Sequence, residues 1–168
     1  GFHIAASHSD SPTLKIKESS EMNIENQYVK LNVEKYGGML CAPWFDRPLS
    51  VAGRIIVKDG NRLTTKLINV DRDLLMIPNL AIHMNREVND GYKYNIQKDM
   101  LPLYRMSNSG KAFKEMIAEE AGVSVDQIKG MDLFLYNRME GTIWGCDGEF
   151  ISAPRLDDLQ CAFTSTMA

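Results

Sequence analysis

Cysteine is scarce in this sequence. The 168 residues include three cysteines, Cys41, Cys146 and Cys161. An odd, widely spaced set without a C-x-x-C pair argues against a disulfide framework and against a thiolate zinc site. The cysteine pattern therefore fits a reducing compartment and predicts a cytoplasmic location.

Long apolar runs and runs of basic charge are also missing. No stretch approaches the roughly 20 apolar residues that a membrane-spanning helix needs. The chain has 19 Lys and Arg against 22 Asp and Glu, for a formal net charge of -3, and no basic run could neutralise a nucleic-acid backbone. We therefore predict neither a membrane nor a nucleic-acid partner.

Several catalytic signatures do not occur. The sequence has no serine nucleophile elbow, no P-loop, no dinucleotide-binding fingerprint and no helical H-E-x-x-H motif. What it does have is a pair of short polar motifs, His8-Ser9-Asp10 and Leu156-Asp157-Asp158, each next to a predicted regular element. Nothing between them repeats the pattern.

Alternating and apolar segments predict a chain rich in strands. Strands that are buried on one face are predicted at 13–18 and 29–34, and a fully buried parallel strand at 2–6. Asp59-Gly60 predicts a hairpin between 54–57 and 63–68. Further strands are expected at 131–136, 142–144 and 150–153.

Two helices and one short helical turn complete the prediction. An apolar stripe of Phe113, Met116, Ile117 and Ala121 indicates a helix that Asn108 or Ser109 caps and Gly122 ends. Residues 124–127 carry a capping-box pattern. A last helix is expected after Pro154. The predicted fold class is thus α/β, or α+β, with a strand-rich middle.

His8 and Asp10 form a candidate metal-binding pair directly after the first predicted strand. A neutral imidazole binds a divalent metal through one ring nitrogen, and a nearby carboxylate can accept the other N–H and fix the tautomer. A loop histidine with a local aspartate contact explains the same two residues.

Asp157 and Asp158 stand at the start of the last predicted helix. As an N-cap, an aspartate would accept backbone N–H bonds and suit the helix dipole. As a metal ligand, its two carboxylate oxygens could bridge two ions, as two-metal hydrolases require. Both interpretations stay open at this point.

Two further segments carry candidate residues. His83 follows an apolar run and is either a histidine satisfied by backbone or a proton donor and oxyanion contact. Trp44-Phe45-Asp46-Arg47 predicts a structural corner, or a contact between subunits.

Taken in order, five segments resemble the M18 aspartyl aminopeptidase family of dinuclear zinc peptidases. The match is specific because the segments occur in family order along nearly the whole chain. They are residues 5–12, 33–38, 44–54, 77–83 and 153–159.

The resemblance implies a role for each candidate residue. It implies that His8 binds one zinc ion, that Asp10 orients His8, and that Asp157 bridges two zinc ions, with Co²⁺ or Mn²⁺ as possible substitutes. It implies that His83 reaches from a neighbouring subunit to the scissile carbonyl. The family usually has asparagine where this chain has Asp158, and in related peptidases the peptide bond after the bridging aspartate is cis.

The resemblance also implies the domain organisation. Residues 1–17 and 151–168 correspond to pieces of a split catalytic domain, and 18–150 to a dimerisation domain inserted between them. The chain is therefore expected to be a fragment, with the general-base glutamate and the remaining ligands outside it, and to be inactive alone. The implied substrates are peptides with N-terminal Asp or Glu.

Alternative functions remain at this stage. The chain could be a non-catalytic module whose function is self-association, as a dimer or in the family's dodecamer. It could also belong to a glutamyl-type aminopeptidase of the same clan, although those have a smaller insert.

Overall fold

The structure is a computed structural model that describes all 168 residues. The chain divides into two compact units. The larger is Thr13–Arg138, and the smaller combines Gly1–Pro12 with Met139–Ala168. Each unit is described by itself below.

The larger unit is built on one antiparallel sheet of six strands. The spatial order is β4-β3-β6-β1-β2-β5, and every neighbouring pair runs antiparallel. The strands are β1 (Thr13–Ile24), β2 (Tyr28–Tyr36), β3 (Leu49–Asp59), β4 (Arg62–Asn69), β5 (Leu103–Met106) and β6 (Ile128–Asn137).

Alternation along these strands builds the core. Leu14 and Ile16 on β1, and Leu31 and Val33 on β2, point to the same buried face, while the residues between them stay at least partly exposed. The predicted hairpin is confirmed, since Asp59 pairs with Arg62 across a two-residue loop. The loop consists of Gly60 and Asn61, one position later than the sequence signal suggested.

Two helices belong to this unit, α1 (Ile96–Asp99) and α2 (Phe113–Ala121). Gly122 ends α2 with φ of 62°, as predicted. The predicted cap was wrong, because Ala112 is the N-cap residue. Its backbone N–H donates to Glu115 (3.0 Å), while Glu21 of β1 accepts from the backbone N–H of Phe113 (3.0 Å). A carboxylate from a distant strand thus replaces a local cap.

The smaller unit holds β7 (Thr142–Trp144), β8 (Phe150–Ser152) and α3 (Leu156–Met167). The two strands form an antiparallel pair in which Trp144 stacks on Phe150 at 4.7 Å between ring centroids. The buried strand predicted at 2–6 is wrong, because residues 1–12 have no regular structure and Phe2 is 97% exposed. No strand of this unit pairs with residues 2–6, so the segment lacks the backbone hydrogen bonds that would make it a strand.

The predicted fold class is confirmed: a strand-rich chain of the α/β class with a few helices. The unit boundaries observed, after Pro12 and after Arg138, differ by several residues from the limits expected for the inserted domain, 18–150. The assignment of those segments to split and inserted domains stays a prediction. No helix has the length and apolarity needed to cross a membrane.

Candidate metal centre

Within the smaller unit, His8 and Asp158 meet although they are far apart in sequence. His8 Nε2 lies 3.4 Å from Asp158 Oδ2, and the side chains are 70% and 26% exposed. His8 lies on the irregular segment at the start of the chain, while Asp158 lies in the first turn of α3. Folding thus brings one imidazole and one carboxylate together from opposite ends of the sequence.

The start of α3 has an unusual backbone. Asp157 has φ of -87° and ψ of 111°, outside the helical region, and the Asp157–Asp158 peptide bond is cis, as the resemblance implied. Ser11 Oγ donates to the carbonyl oxygen of Asp157 at 3.5 Å. Arg155, which precedes α3, makes no side-chain cap hydrogen bond, and the non-helical backbone at Asp157 interrupts the first turn of the helix.

The two aspartate carboxyls also contact each other. A hydrogen bond with Asp157 is the main reason that the pKa of Asp158 is raised above its usual range. Partial burial and the negative charge of Asp157 act in the same direction, while His8 opposes them. Two carboxyl groups held this close repel when both are ionised, and a bound cation would relieve that repulsion.

These donors suit zinc in kind. Zinc takes imidazole nitrogen and carboxylate oxygen, and both kinds of donor meet here, since His8 contacts Asp158 and the Asp158 carboxyl contacts that of Asp157. The number of donors falls short, because no group of three or more His, Cys, Asp or Glu side chains that could hold a metal occurs in the chain.

The other predicted residues lie elsewhere. Asp10 is exposed on the same irregular segment as His8. His83 belongs to the larger unit, where it is exposed in a turn closed by the Met84 N–H to Ala81 carbonyl bond of 2.8 Å. The roles of Asp10 and His83 therefore stay predictions.

The resemblance pointed to Asp157 as the metal ligand, while the carboxylate that contacts His8 is that of Asp158. The metal-binding role of Asp157 stays a prediction. Two adjacent acidic residues were the available signal, but a sequence does not show which of two neighbouring side chains will face a given partner.

Comparison with known proteins shows the family. The family model of aminopeptidase I zinc metalloproteases (M18) matches residues 1–168. A probable M18 family aminopeptidase 2 from Clostridium acetobutylicum is 50% identical over 167 residues, covering 95% of this chain and 38% of the relative. The chain thus spans well under half of that curated relative.

Solved structures give the same result. The structure of Chaetomium thermophilum mApe1 superposes with a TM-score of 0.79 at 33% identity, over 93% of this chain and 38% of that one. The structure of the Saccharomyces mApe1 dodecamer superposes with a TM-score of 0.72 at 27% identity, over 94% of this chain and 36% of that one. From the segments, the fold and these matches, the chain belongs to the M18 family of zinc metalloprotease aminopeptidases.

Proposed function

We propose that the whole protein is a metalloaminopeptidase that removes N-terminal Asp or Glu from peptides. The observation that carries the proposal is the meeting of His8 with the Asp157-Asp158 pair, with His8 Nε2 3.4 Å from Asp158 Oδ2. Loop histidines and helix-start aspartates are common alone. Their convergence from opposite ends of the sequence, in a member of a zinc peptidase family, favours a metal site over two unrelated local contacts.

In this proposal the chain supplies part of a dinuclear site. His8 and Asp157 bind the metal, Asp10 orients the His8 ring, and the other ligands and the general base come from the remainder of the longer protein. Zinc bound there would polarise the substrate carbonyl and lower the pKa of a water molecule. Co²⁺ or Mn²⁺ could occupy the same oxygen and nitrogen donors.

His83 has a separate role in the proposal. Its imidazole would contact the scissile carbonyl in the active site of a neighbouring subunit and stabilise the negative charge that develops on that oxygen. An exposed histidine on a loop suits such a contact, because the ring is accessible to a second molecule.

The first test uses the intact enzyme and its Asp157→Ala variant. Zinc is measured by elemental analysis alongside cleavage of an aspartyl anilide. We expect near two zinc ions per subunit in the wild type, and joint loss of zinc and activity in the variant, because the variant would lack a carboxylate that would hold the metal. Full zinc and full activity in Asp157→Ala would contradict the assignment.

A second proposed function is self-association through the larger unit. Ile56, Leu63 and Leu67 are 42%, 66% and 84% exposed, and the pairing of β3 with β4 places them on the same face of the sheet. A relative forms a dodecamer. We propose that a second copy covers this apolar patch. Unchanged oligomeric mass of a Leu67→Lys variant in light scattering would argue against it.

The proposed location is the cytoplasm. All three cysteines are unpaired in the structure, with Cys146 and Cys161 exposed. Free exposed thiols suit a reducing compartment.

A further inference from the structure

The loop that carries His83 stands away from the sheet. Between Asn79 and Tyr94, the side chains of Leu80, Ile82 and Met84 are 64%, 48% and 75% exposed. A cavity of about 360 Å³ lies beneath, lined on one side by loop residues such as Leu80 and Val88, and on the other by Tyr28 and Leu103 of the sheet. Hydrogen bonds and ring contacts join the loop to the rest of the unit at its two ends.

The outgoing end of the loop is held by Asp46. Its carboxylate accepts from the backbone N–H of Asn79 at 2.9 Å and from the Asn79 side-chain amide at 2.7 Å. The Asp46 backbone N–H in turn donates to the carbonyl of Ile77 at 2.9 Å. The backbone bond to Asn79, followed by the side-chain bond, lowers the pKa of Asp46, so the carboxylate is ionised at neutral pH.

The returning end is held by the neighbouring residue, Phe45. Its buried ring packs on Tyr94 at 5.0 Å between centroids. Tyr92 meets Tyr94 edge-on at 5.5 Å, and the Tyr92 hydroxyl donates to Asp99 of α1 at 3.1 Å. Two consecutive residues therefore contact the two ends of one loop: Asp46 at Asn79 and Phe45 at Tyr94.

We propose that Phe45 and Asp46 are positioning residues for His83. They fix both ends of the loop, and the imidazole is thereby held in one position and orientation. The inference rests on the proposed function, in which His83 contacts the substrate carbonyl. A contact of that kind tolerates little displacement, since a shift of about 1 Å at a catalytic group can cost about 100-fold in rate.

The test is a double-mutant cycle in the intact enzyme. Asp46→Gly removes both acceptors of Asn79 and suits the left-handed backbone at this position, where φ is 55°. We expect kcat for an aspartyl anilide to fall about tenfold with zinc content and KM unchanged. In a His83→Ala background, the same substitution should change kcat less than about twofold, because the loop then has no catalytic group to place.

Three further variants test the inference. Asp126→Gly is the matched control, since Asp126 is also an exposed aspartate whose pKa is lowered, by Ser124, on a different segment; its kcat should match the wild type. Asp46→Asn is the conservative variant, because its amide oxygen can accept from the Asn79 N–H while its amide nitrogen donates to the turned Asn79 side-chain oxygen, and it should keep most of kcat. Tyr94→Leu tests the Phe45 end within the same cycle.

The outcomes separate the two proposals. If His83→Ala retains zinc and full kcat, the proposed role of His83 fails, and the positioning inference fails with it. If His83→Ala lowers kcat but Asp46→Gly leaves it unchanged, the positioning inference alone is overturned. An equal loss from Asp46→Gly in the wild-type and His83→Ala backgrounds would overturn it too, as would a loss in Asp46→Asn as large as that in Asp46→Gly.

Discussion

At the residue scale, the two adjacent aspartates at the start of α3 are expected to differ in function. The resemblance assigns metal bridging to Asp157, and the family usually has asparagine at position 158, while the structure places Asp158 beside His8. We expect Asp158→Asn in the intact enzyme to keep zinc and most of its activity, because an amide oxygen still faces His8. Elemental analysis together with the aspartyl anilide assay measures this.

Asp157→Asn is the matched comparison for that variant and should lose zinc. The reverse pattern, with zinc lost only in Asp158→Asn, would transfer the metal-binding role to Asp158.

A second carboxylate, Asp132 on β6, links three strands by charge. Lys15 of β1 lies 2.8 Å and Arg54 of β3 3.2 Å from its carboxylate oxygens, and the hydrogen bond from Lys15 is the main reason that its pKa is lowered. A depressed folded-state pKa gives stability that is present above the unfolded pKa of about 3.9 and is lost as the pH falls through the folded value.

Asp132→Asn should therefore lower the free energy of unfolding at pH 7 by about 1 kcal/mol or less, since the ion pair is partly solvated. Urea unfolding of the chain at pH 7 and at about pH 2.5, below the unfolded pKa, measures the difference, which we expect to shrink at the lower pH. A difference of the same size at both values would show that the charge of Asp132 is not its cause.

At the element scale, the pairing of β3 with β6 depends on Gly53. Its φ is 149°, and a Cβ built there would lie 2.2 Å from the carbonyl oxygen of Asp132 on the neighbouring strand. Gly53→Ala should cost about 3 kcal/mol or more, because the overlap with backbone adds to the strain of the dihedral angle. Chemical denaturation at an unchanged m-value measures this.

Gly130 of β6 provides the control. A Cβ there would meet Ile56 Cδ1 at 3.7 Å, an ordinary contact. Gly130→Ala should change stability by less than about 1 kcal/mol. Equal losses in both variants would mean that glycine flexibility, and not the close approach of two backbones, explains Gly53.

On the scale of the whole molecule, the two units differ in how they are stabilised. The larger unit has a core of buried aliphatic and aromatic side chains, among them Leu14, Leu49, Ile55 and Phe113, whereas no residue of the smaller unit is buried. Local stability follows buried apolar contact. Amide hydrogens of α3 should therefore exchange faster than those of β3 and β6, as hydrogen-exchange mass spectrometry of the chain can measure. Equal protection would show that α3 is stabilised by something other than a core.

The chain as given is also expected to lack activity. Since no three metal-binding side chains come together in it, the 168-residue chain should retain no stoichiometric zinc after dialysis and should not cleave an aspartyl anilide. The intact enzyme, assayed in parallel, is the positive control. Turnover by the purified chain would refute the expectation that the general base lies elsewhere.

Local signals predicted much of the larger unit. Alternation along 13–18 and 29–34 located β1 and β2, a turn dipeptide located the β3–β4 hairpin, and Gly122 located the end of α2. Each of these depends on residues close in sequence. The cap of α2 could not be predicted in this way, because Glu21, which accepts from the Phe113 N–H, lies on a strand 92 residues earlier.

The same distinction between local signals and long-range contacts applies to the candidate site. The sequence by itself determined which side chains can bind zinc, since imidazole and carboxylate chemistry belongs to His8, Asp157 and Asp158 wherever they lie, and it determined the family through the order of five segments. Only the tertiary structure decided that Asp158 is the carboxylate beside His8, and that Phe45 and Asp46 hold both ends of the His83 loop. Contacts of that kind depend on backbone paths that return from distant parts of the chain, and no local pattern of residues records them.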